Sequence, residues 1–139
     1  MDHNGVRSPA DLMRMNLVEL FRFENNLVTI QAGQPVFRAG EHSNFMYVLM
    51  KGTVVVTVGK IVVESAEPGA LLGELALIEE LPRSATVTAV TDCQFLPIDA
   101  KRFQFLVQQT PNFALHVMKV MADRLRRTDL LLIEASASK

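Results

Sequence analysis

From Leu27 to Asp99 the chain is a series of short runs rich in Val, Ile, Leu and Thr, cut by turn residues every eight to twelve positions. Each run is long enough for one strand and too short for a helix of ordinary length. This rhythm is that of an all-β sandwich or barrel. The runs are Leu27–Gln31, Val36–Arg38, Phe45–Met50, Thr53–Val58, Ile61–Ser65, Ala85–Ala89 and Cys93–Ile98. Ala32-Gly33, Ala39-Gly40, Lys51-Gly52, Gly59-Lys60, Pro68-Gly69 and Thr91-Asp92 separate them. Gly59-Lys60 is the sharpest break, because two residues with Gly first between Val-rich strands suit a type II′ hairpin. Pro35 has no N–H for a ladder, so its strand lies at a sheet edge or begins there.

Helical spacing brackets this region. Leu12, Met15 and Leu20 predict a helix over 11–22, and 100–109 predicts another, stopped at Thr110 by Pro111. Pro111 then opens a third that runs to about Ala135. Gly73–Glu80 interrupts the strands with good helix formers and only one β-branched residue, Ile78, and reads as a short inserted helix. The expected fold is mainly β with flanking helices: a jelly-roll-like β-roll, or double-stranded β-helix, with an N-terminal helix, a short internal helix and two C-terminal helices. Residues 1–10 read as a flexible tail, 11–135 as one domain (27–99 the β-roll, 100–135 the C-terminal helices), and 136–139 as a second tail. Strand order is not readable.

Composition narrows the function classes. A chain of 139 residues suits one domain with a real core. Net charge is −1, so no basic footprint asks for nucleic acid. The longest apolar runs, such as Leu130–Ile133, fall far short of the ~20 residues a membrane span needs. Cys93 is the one cysteine, which excludes an internal disulfide and a multi-cysteine metal site. No basic-then-apolar leader pattern opens the chain. The expected location is the cytoplasm.

Chemistry concentrates in Pro68–Val87. Gly73, ahead of the short helix, lets a ligand approach the backbone closely. The amides of Leu75 and Ala76 are expected to be unpaired at that helix start, where the dipole favours an anion. Arg83 follows a stiff Leu81-Pro82 step, and its planar fork can grip two phosphate oxygens. Ser84 adds a hydroxyl donor, and the small Ala85 lets the strand lie close to a ligand. Glu74 is an acceptor beside an anion site, which suits a ligand that also carries a hydroxyl. Phosphate and adjacent hydroxyl together describe a ribose cyclic phosphate.

The segment Gly-Glu-Leu-Ala-Leu…Pro-Arg-Ser-Ala resembles the phosphate-binding cassette of the cyclic nucleotide-binding domain family. Phe37-Arg38-Ala39-Gly40-Glu41 and Met46–Val54 are similar to that family's early strands. Cys93–Arg127 is similar to the helical end of the bacterial catabolite activators. The short hairpin at Gly59 is closer to compact domains of bacterial nucleotide-gated channels. The resemblance implies that Glu74 accepts the ribose 2′-hydroxyl and that Arg83 pairs with the exocyclic phosphate oxygens. Ser84 and the amides of Leu75 and Ala76 would complete the cradle, and Val56 and Val63 would floor the base. Thr128 falls where the activators have a Thr that contacts the purine amine, whereas Asp129 departs from the neighbouring Ser. The implied ligand is cyclic AMP ahead of cyclic GMP, with no cofactor and no metal.

The other polar residues have plainer readings. His42 lies in a polar turn, His116 on a helix face, and Cys93 in an apolar strand. Glu79 and Glu80 read as a solvated helix end, and Arg124, Arg126 and Arg127 as a solvated helix face. The last helix carries two apolar stripes, Leu115/Met118/Ala122/Leu125 and Phe113/Val117/Val120/Leu131. One can pack on the roll, and the second suggests a homodimer through the 111–135 helix. The activators continue into a helix-turn-helix, whereas this sequence ends at Lys139, so no direct DNA binding is expected. A receptor that signals to an unidentified protein partner by repositioning its C-terminal helix is the leading reading. Beside it stand a degenerate, non-binding interaction module and the regulatory part of a larger channel, kinase or transporter. An enzyme of the cupin kind would need a His cluster on adjacent strands, and the strand region holds only His42.

Overall fold

The computed structural model describes residues 16–137, with the side chains of Thr128 and Leu131 left out. The expected 1–10 tail and the start of the 11–22 helix lie outside these residues. The described chain divides into two compact units, 16–105 and 106–137.

The first unit opens with one helical turn, α1 (Leu17–Leu20), whose N-cap Asn16 accepts a hydrogen bond from the Glu19 amide at 3.1 Å. Eight strands follow: β1 (Val28–Ile30), β2 (Pro35–Phe37), β3 (Phe45–Lys51), β4 (Val54–Val58), β5 (Ile61–Ala66), β6 (Leu71–Leu72), β7 (Thr86–Ala89) and β8 (Cys93–Asp99). The turn α2 (Leu75–Ile78) separates β6 from β7, and α3 (Ala100–Gln109) follows β8 directly. The strands make two antiparallel four-stranded sheets, β1-β8-β3-β6 and β2-β7-β4-β5. This is the β-roll that the spacing of the runs predicts.

Local chemistry explains the joints. Gly59 has φ +61 while Lys60 keeps a negative φ, and Val58 pairs with Ile61 across them, which is the expected type II′ geometry. Pro35 begins β2, an edge strand, as its missing N–H requires. β6 is absent from the sequence reading. Leu71-Leu72 has no alternation to betray it and becomes a strand only by pairing with Val48 and Tyr47 of β3.

Alternation assigns the two faces of β3. Leu49 joins Phe37, Val54, Leu72, Val87, Ala89, Cys93 and Phe95 in the core between the sheets, with Tyr47 packed against it. Met46 and Val48 point the other way and are also fully buried, as are their partners Ile98 and Leu96 on β8. The buried Leu17 belongs to the α1 turn that packs on β3. A strand apolar on both faces loses the clean period-two signal, which is why β3 reads as a continuous run.

The second unit holds the end of α3 and one long helix, α4 (Asn112–Ala137). Thr110 donates its amide to Leu106 O at 2.7 Å, and the Phe113 and Ala114 amides then restart the helical pattern around Pro111. The helix runs two residues past the expected Ala135, so residues 136 and 137 are helical and not tail. Its two apolar stripes part company. Phe113 and Val117 are buried, whereas Leu115, Met118 and Leu125 are exposed.

Candidate functional site

The stretch between β6 and β7 is anchored at both ends by backbone. Leu72 pairs with Tyr47 at its start. At its end, the Arg83 amide donates to Glu41 O at 2.8 Å and Arg83 O accepts from the Gly40 amide at 2.8 Å. The 38–41 turn that provides these groups is itself closed by Glu41, whose Oε1 accepts from the Arg38 amide at 2.6 Å. Arg83 is therefore held firmly in its main chain. The α2 turn between the anchors ends at Glu80, which takes a left-handed φ of 54° and stops the helix short of its predicted length.

The Arg83 side chain turns inward. It is only 6% exposed, and Glu74 only 4%; these are the two buried charged residues among those described. Nη2 donates to Phe45 O at 2.6 Å and Nη1 to Gly73 O at 3.0 Å. The guanidinium carbon lies 4.1 Å from the centre of the Phe37 ring and 5.9 Å from that of Tyr47. Phe37 belongs to one sheet and Phe45 and Tyr47 to the other, so a single cation bridges the two layers. Nε is buried with no hydrogen-bond partner. Burial pushes the pKa of Arg83 down, against the upward pull of Tyr47, Glu41 and Glu74. A buried cation whose Nε–H finds no partner among the described residues has the charge and the donors to pair with an anion.

Gly73 makes this arrangement sterically possible. Its φ is +75, and a Cβ there would overlap Arg83 Nη1 and lie 3.0 Å from Cζ and 3.4 Å from the Phe37 ring. The Leu75 amide has no protein partner among the described residues, as expected of a helix start. The Ala76 amide departs from expectation: it donates to Gly73 O at 3.2 Å, and the Leu77 amide likewise to Glu74 O. In so short a helix the first turn tightens to bonds between residues three apart, which consumes a donor that a longer helix would leave free. Ser84 is exposed and Ala85 half-buried, just before β7 begins at Thr86.

The β2-β7-β4-β5 sheet brings one apolar candidate into line with this centre. Phe37 pairs with Val87, Val87 with Val56, and Val56 with Glu64, so these four side chains share a face. Val56 packs on the inner core. Val63 lies at a bulge: the register passes from Val56–Glu64 to Thr57–Val62 and leaves it without a partner on β4. Backbone at Thr128 is helical, but its side chain lies outside the described residues, as does any contact it makes.

Three groups escaped the sequence reading: the Phe37 ring, the Phe45 carbonyl and Tyr47. Phe37 was visible only as an early-strand residue, because strand order alone brings it beside a residue 46 positions away (83 against 37). Among the described residues no group of three or more His, Cys, Asp or Glu could hold a metal ion. No described helix is long and apolar enough to cross a membrane.

The sequence profile of the cyclic nucleotide-binding domain matches residues 27–110, which take in every strand and the whole β6–β7 stretch. The chain belongs to the cyclic nucleotide-binding domain family. A cyclic nucleotide-gated potassium channel of Mesorhizobium japonicum is 36% identical over 96 residues, which cover 69% of this chain and 26% of the channel. A cAMP-dependent protein kinase regulatory subunit of Eremothecium gossypii is 35% identical over 75 residues, covering 54% of this chain and 16% of that subunit. The catabolite activator protein of Thermus thermophilus superposes with a TM-score of 0.71 at 27% identity, over 96% of this chain and 62% of that one. The chain thus spans about a quarter or less of these two curated relatives. This cyclic nucleotide-binding domain is a regulatory module by family, with Gly73 and Arg83 near the two ends of its β6–β7 stretch.

Proposed function

We propose that this domain binds cyclic AMP in preference to cyclic GMP, with Arg83 as the anion ligand. The observation that carries the reading is the buried Arg83 guanidinium set against Gly73, with neither its Nε–H nor the nearby Leu75 amide paired among the described residues. Arg83 pairs with the cyclic phosphate, Ser84 and the amides of Leu75 and Ala76 complete the cradle, and Glu74 accepts the ribose 2′-hydroxyl. For the Ala76 amide this requires release of its 3.2 Å bond to Gly73 O. Ala85 keeps the strand close to the ligand, and Val56 and Val63 floor the base. The name of the kinase regulatory subunit, cAMP-dependent, supports the choice of base. The domain acts in the cytoplasm, without a cofactor, and without catalysis on its ligand.

Calorimetric titration of nucleotide-free protein with cyclic AMP, cyclic GMP and linear 5′-AMP tests the reading. Cyclic AMP binds most tightly and 5′-AMP not at all, and Arg83→Ala costs about 2–5 kcal/mol of binding, as for the loss of one partner of a buried charge pair. Heat from none of the three, with an unchanged melting temperature, rejects it in favour of a domain that keeps the fold without the ligand.

The signal leaves through α4. Bound nucleotide stabilises one position of this helix, and a protein partner reads that position. A ligand shifts such an equilibrium only by its affinity difference between the two states. Amide exchange along Pro111–Ala135 slows with saturating cyclic AMP; identical exchange with and without it refutes the coupling. The exposed stripe of Leu115, Met118 and Leu125 supports a homodimer through this helix. Sedimentation at rising concentration shows dimer formation, and Leu125→Glu abolishes it. The module acts on its partner and not on DNA, so a gel shift at moderate salt finds no sequence-specific complex.

A further inference from the structure

We infer that Phe37 is a positioning residue for Arg83: its ring holds the guanidinium in an inward position that competes with the anion-gripping one, and so sets nucleotide affinity. The inference rests on the proposed reading of Arg83 as the anion ligand. Four observations carry it. Both terminal nitrogens are turned to main-chain carbonyls, those of Gly73 and Phe45. Nε is sealed from solvent. The whole residue is all but buried. The Phe37 ring lies 4.1 Å from the guanidinium carbon, well inside cation–π range.

With one N–H of each terminal nitrogen spent on a carbonyl, Nε sealed and the residue all but buried, the inward guanidinium offers an incoming anion no open pair of N–H groups for a two-pronged hold. The anion gains that hold only when the side chain leaves at least one carbonyl and slides off the ring. The main chain need not follow, because the Arg83 amide and carbonyl are pinned to the 38–41 turn by their own hydrogen bonds. The inward and gripping positions are then two side-chain states on one fixed backbone. Apparent affinity equals intrinsic affinity scaled by the fraction in the gripping state. Whatever weakens the inward state tightens binding by the same factor, until the gripping state predominates.

Phe37 is the right lever because its ring lies nearer the guanidinium carbon than that of Tyr47, at 4.1 Å against 5.9 Å. A cation–π contact in a desolvated site is worth roughly 0.5–2 kcal/mol, which converts to about 2- to 30-fold in affinity at 1.4 kcal/mol per tenfold. Fluorination of the ring drains its negative face and leaves its volume almost unchanged, so it separates this role from mere packing. The experiment places mono-, di- and trifluorinated phenylalanine at position 37 of the full chain and titrates each protein with cyclic AMP and cyclic GMP, beside Phe37→Leu. Affinity rises stepwise with fluorination, and Phe37→Leu lies at or beyond the end of the series. An unchanged or falling affinity across the series, in a protein whose unmodified form binds nucleotide, overturns the inference and leaves the receptor reading standing. Absence of binding in the unmodified protein overturns the receptor reading itself, and the inference with it.

A second readout needs no nucleotide. The Arg83 Nε–H proton, lying beside an aromatic face and shielded from water, exchanges slowly and is shifted upfield in the NMR spectrum. Phe37→Leu removes the upfield shift, and added cyclic AMP moves the same resonance. A resonance at the free-arginine position in the unmodified protein refutes the inward state directly.

Discussion

Alanine at position 73 would do more than any other single methyl group to this site, and its cost can be apportioned. The φ of +75 strains any residue with a Cβ, at roughly 1–2 kcal/mol. The Cβ would also occupy the volume of Arg83 Nη1, so the guanidinium must move. Its two bonds to the carbonyls of Gly73 and Phe45 are charge-assisted, worth about 1.5–3 kcal/mol each before the displaced group regains water. Much of that returns as hydration, since a buried cation with an unpaired Nε is poorly solvated where it lies. A net cost of about 2–4 kcal/mol is expected for Gly73→Ala. In an Arg83→Ala background the overlap is gone, and only the backbone strain of about 1–2 kcal/mol remains. Equilibrium urea unfolding of the four proteins in this cycle measures the difference. With m near 2 kcal/mol/M, the single Gly73→Ala variant moves its midpoint by roughly 1–2 M. A coupling of about 1–2 kcal/mol between the two sites is the expected signature, and effects additive to within ~0.5 kcal/mol would refute the placement of Arg83 against Gly73.

Two further outcomes follow from other parts of the molecule. Phe95 is fully buried, lies edge-on to Tyr47 with ring centroids 6.1 Å apart, and belongs to the inner core, so Phe95→Ala should cost about 3–5 kcal/mol in the same unfolding assay. On α4, Asp123 accepts from Lys119 at 2.9 Å and from Arg126 at 3.0 Å, and the Lys119 hydrogen bond holds its pKa below the ordinary aspartate range. A lowered folded-state pKa gives stability that is present above the unfolded aspartate value and lost as pH falls through the folded one. The carboxylate is exposed, so Asp123→Asn should cost no more than ~0.5 kcal/mol at neutral pH and nothing below the carboxylate range or in high salt, as urea melts at the two pH values and two salt concentrations will show.

Much of the roll was legible because its signals are local. Turn residues cut the strands where Gly59-Lys60 and Pro35 say they must, and seven of the eight strands lie on predicted runs within a few residues. The two-residue β6 was not, since only its partner β3 makes Leu71-Leu72 a strand. At the site, Gly73 and Arg83 could be singled out because each has a backbone or charge property that few other residues share. What surrounds them could not. Phe37, Phe45 and Tyr47 gather around Arg83 through the order of strands in two sheets, a nonlocal property that residue types alone leave open. Pairing of the Ala76 amide was hidden for a different reason: it depends on α2 being a single turn, and turn length is set by the left-handed stop at Glu80.

The β2-β7-β4-β5 sheet ends on two edge strands, β2 and β5, and an open edge invites a second chain to add itself. β2 meets this hazard with Pro35, which lacks the donor an incoming strand would need. On β5 the bulge at Val63 breaks the regular row of donors and acceptors and twists the edge away from flatness. Ile61 and Val62, exposed and apolar beside the hairpin, would otherwise make that edge a template for amyloid-like stacking. The same irregularity that leaves Val63 unpartnered on β4 thus helps to keep the protein from growing into its neighbours.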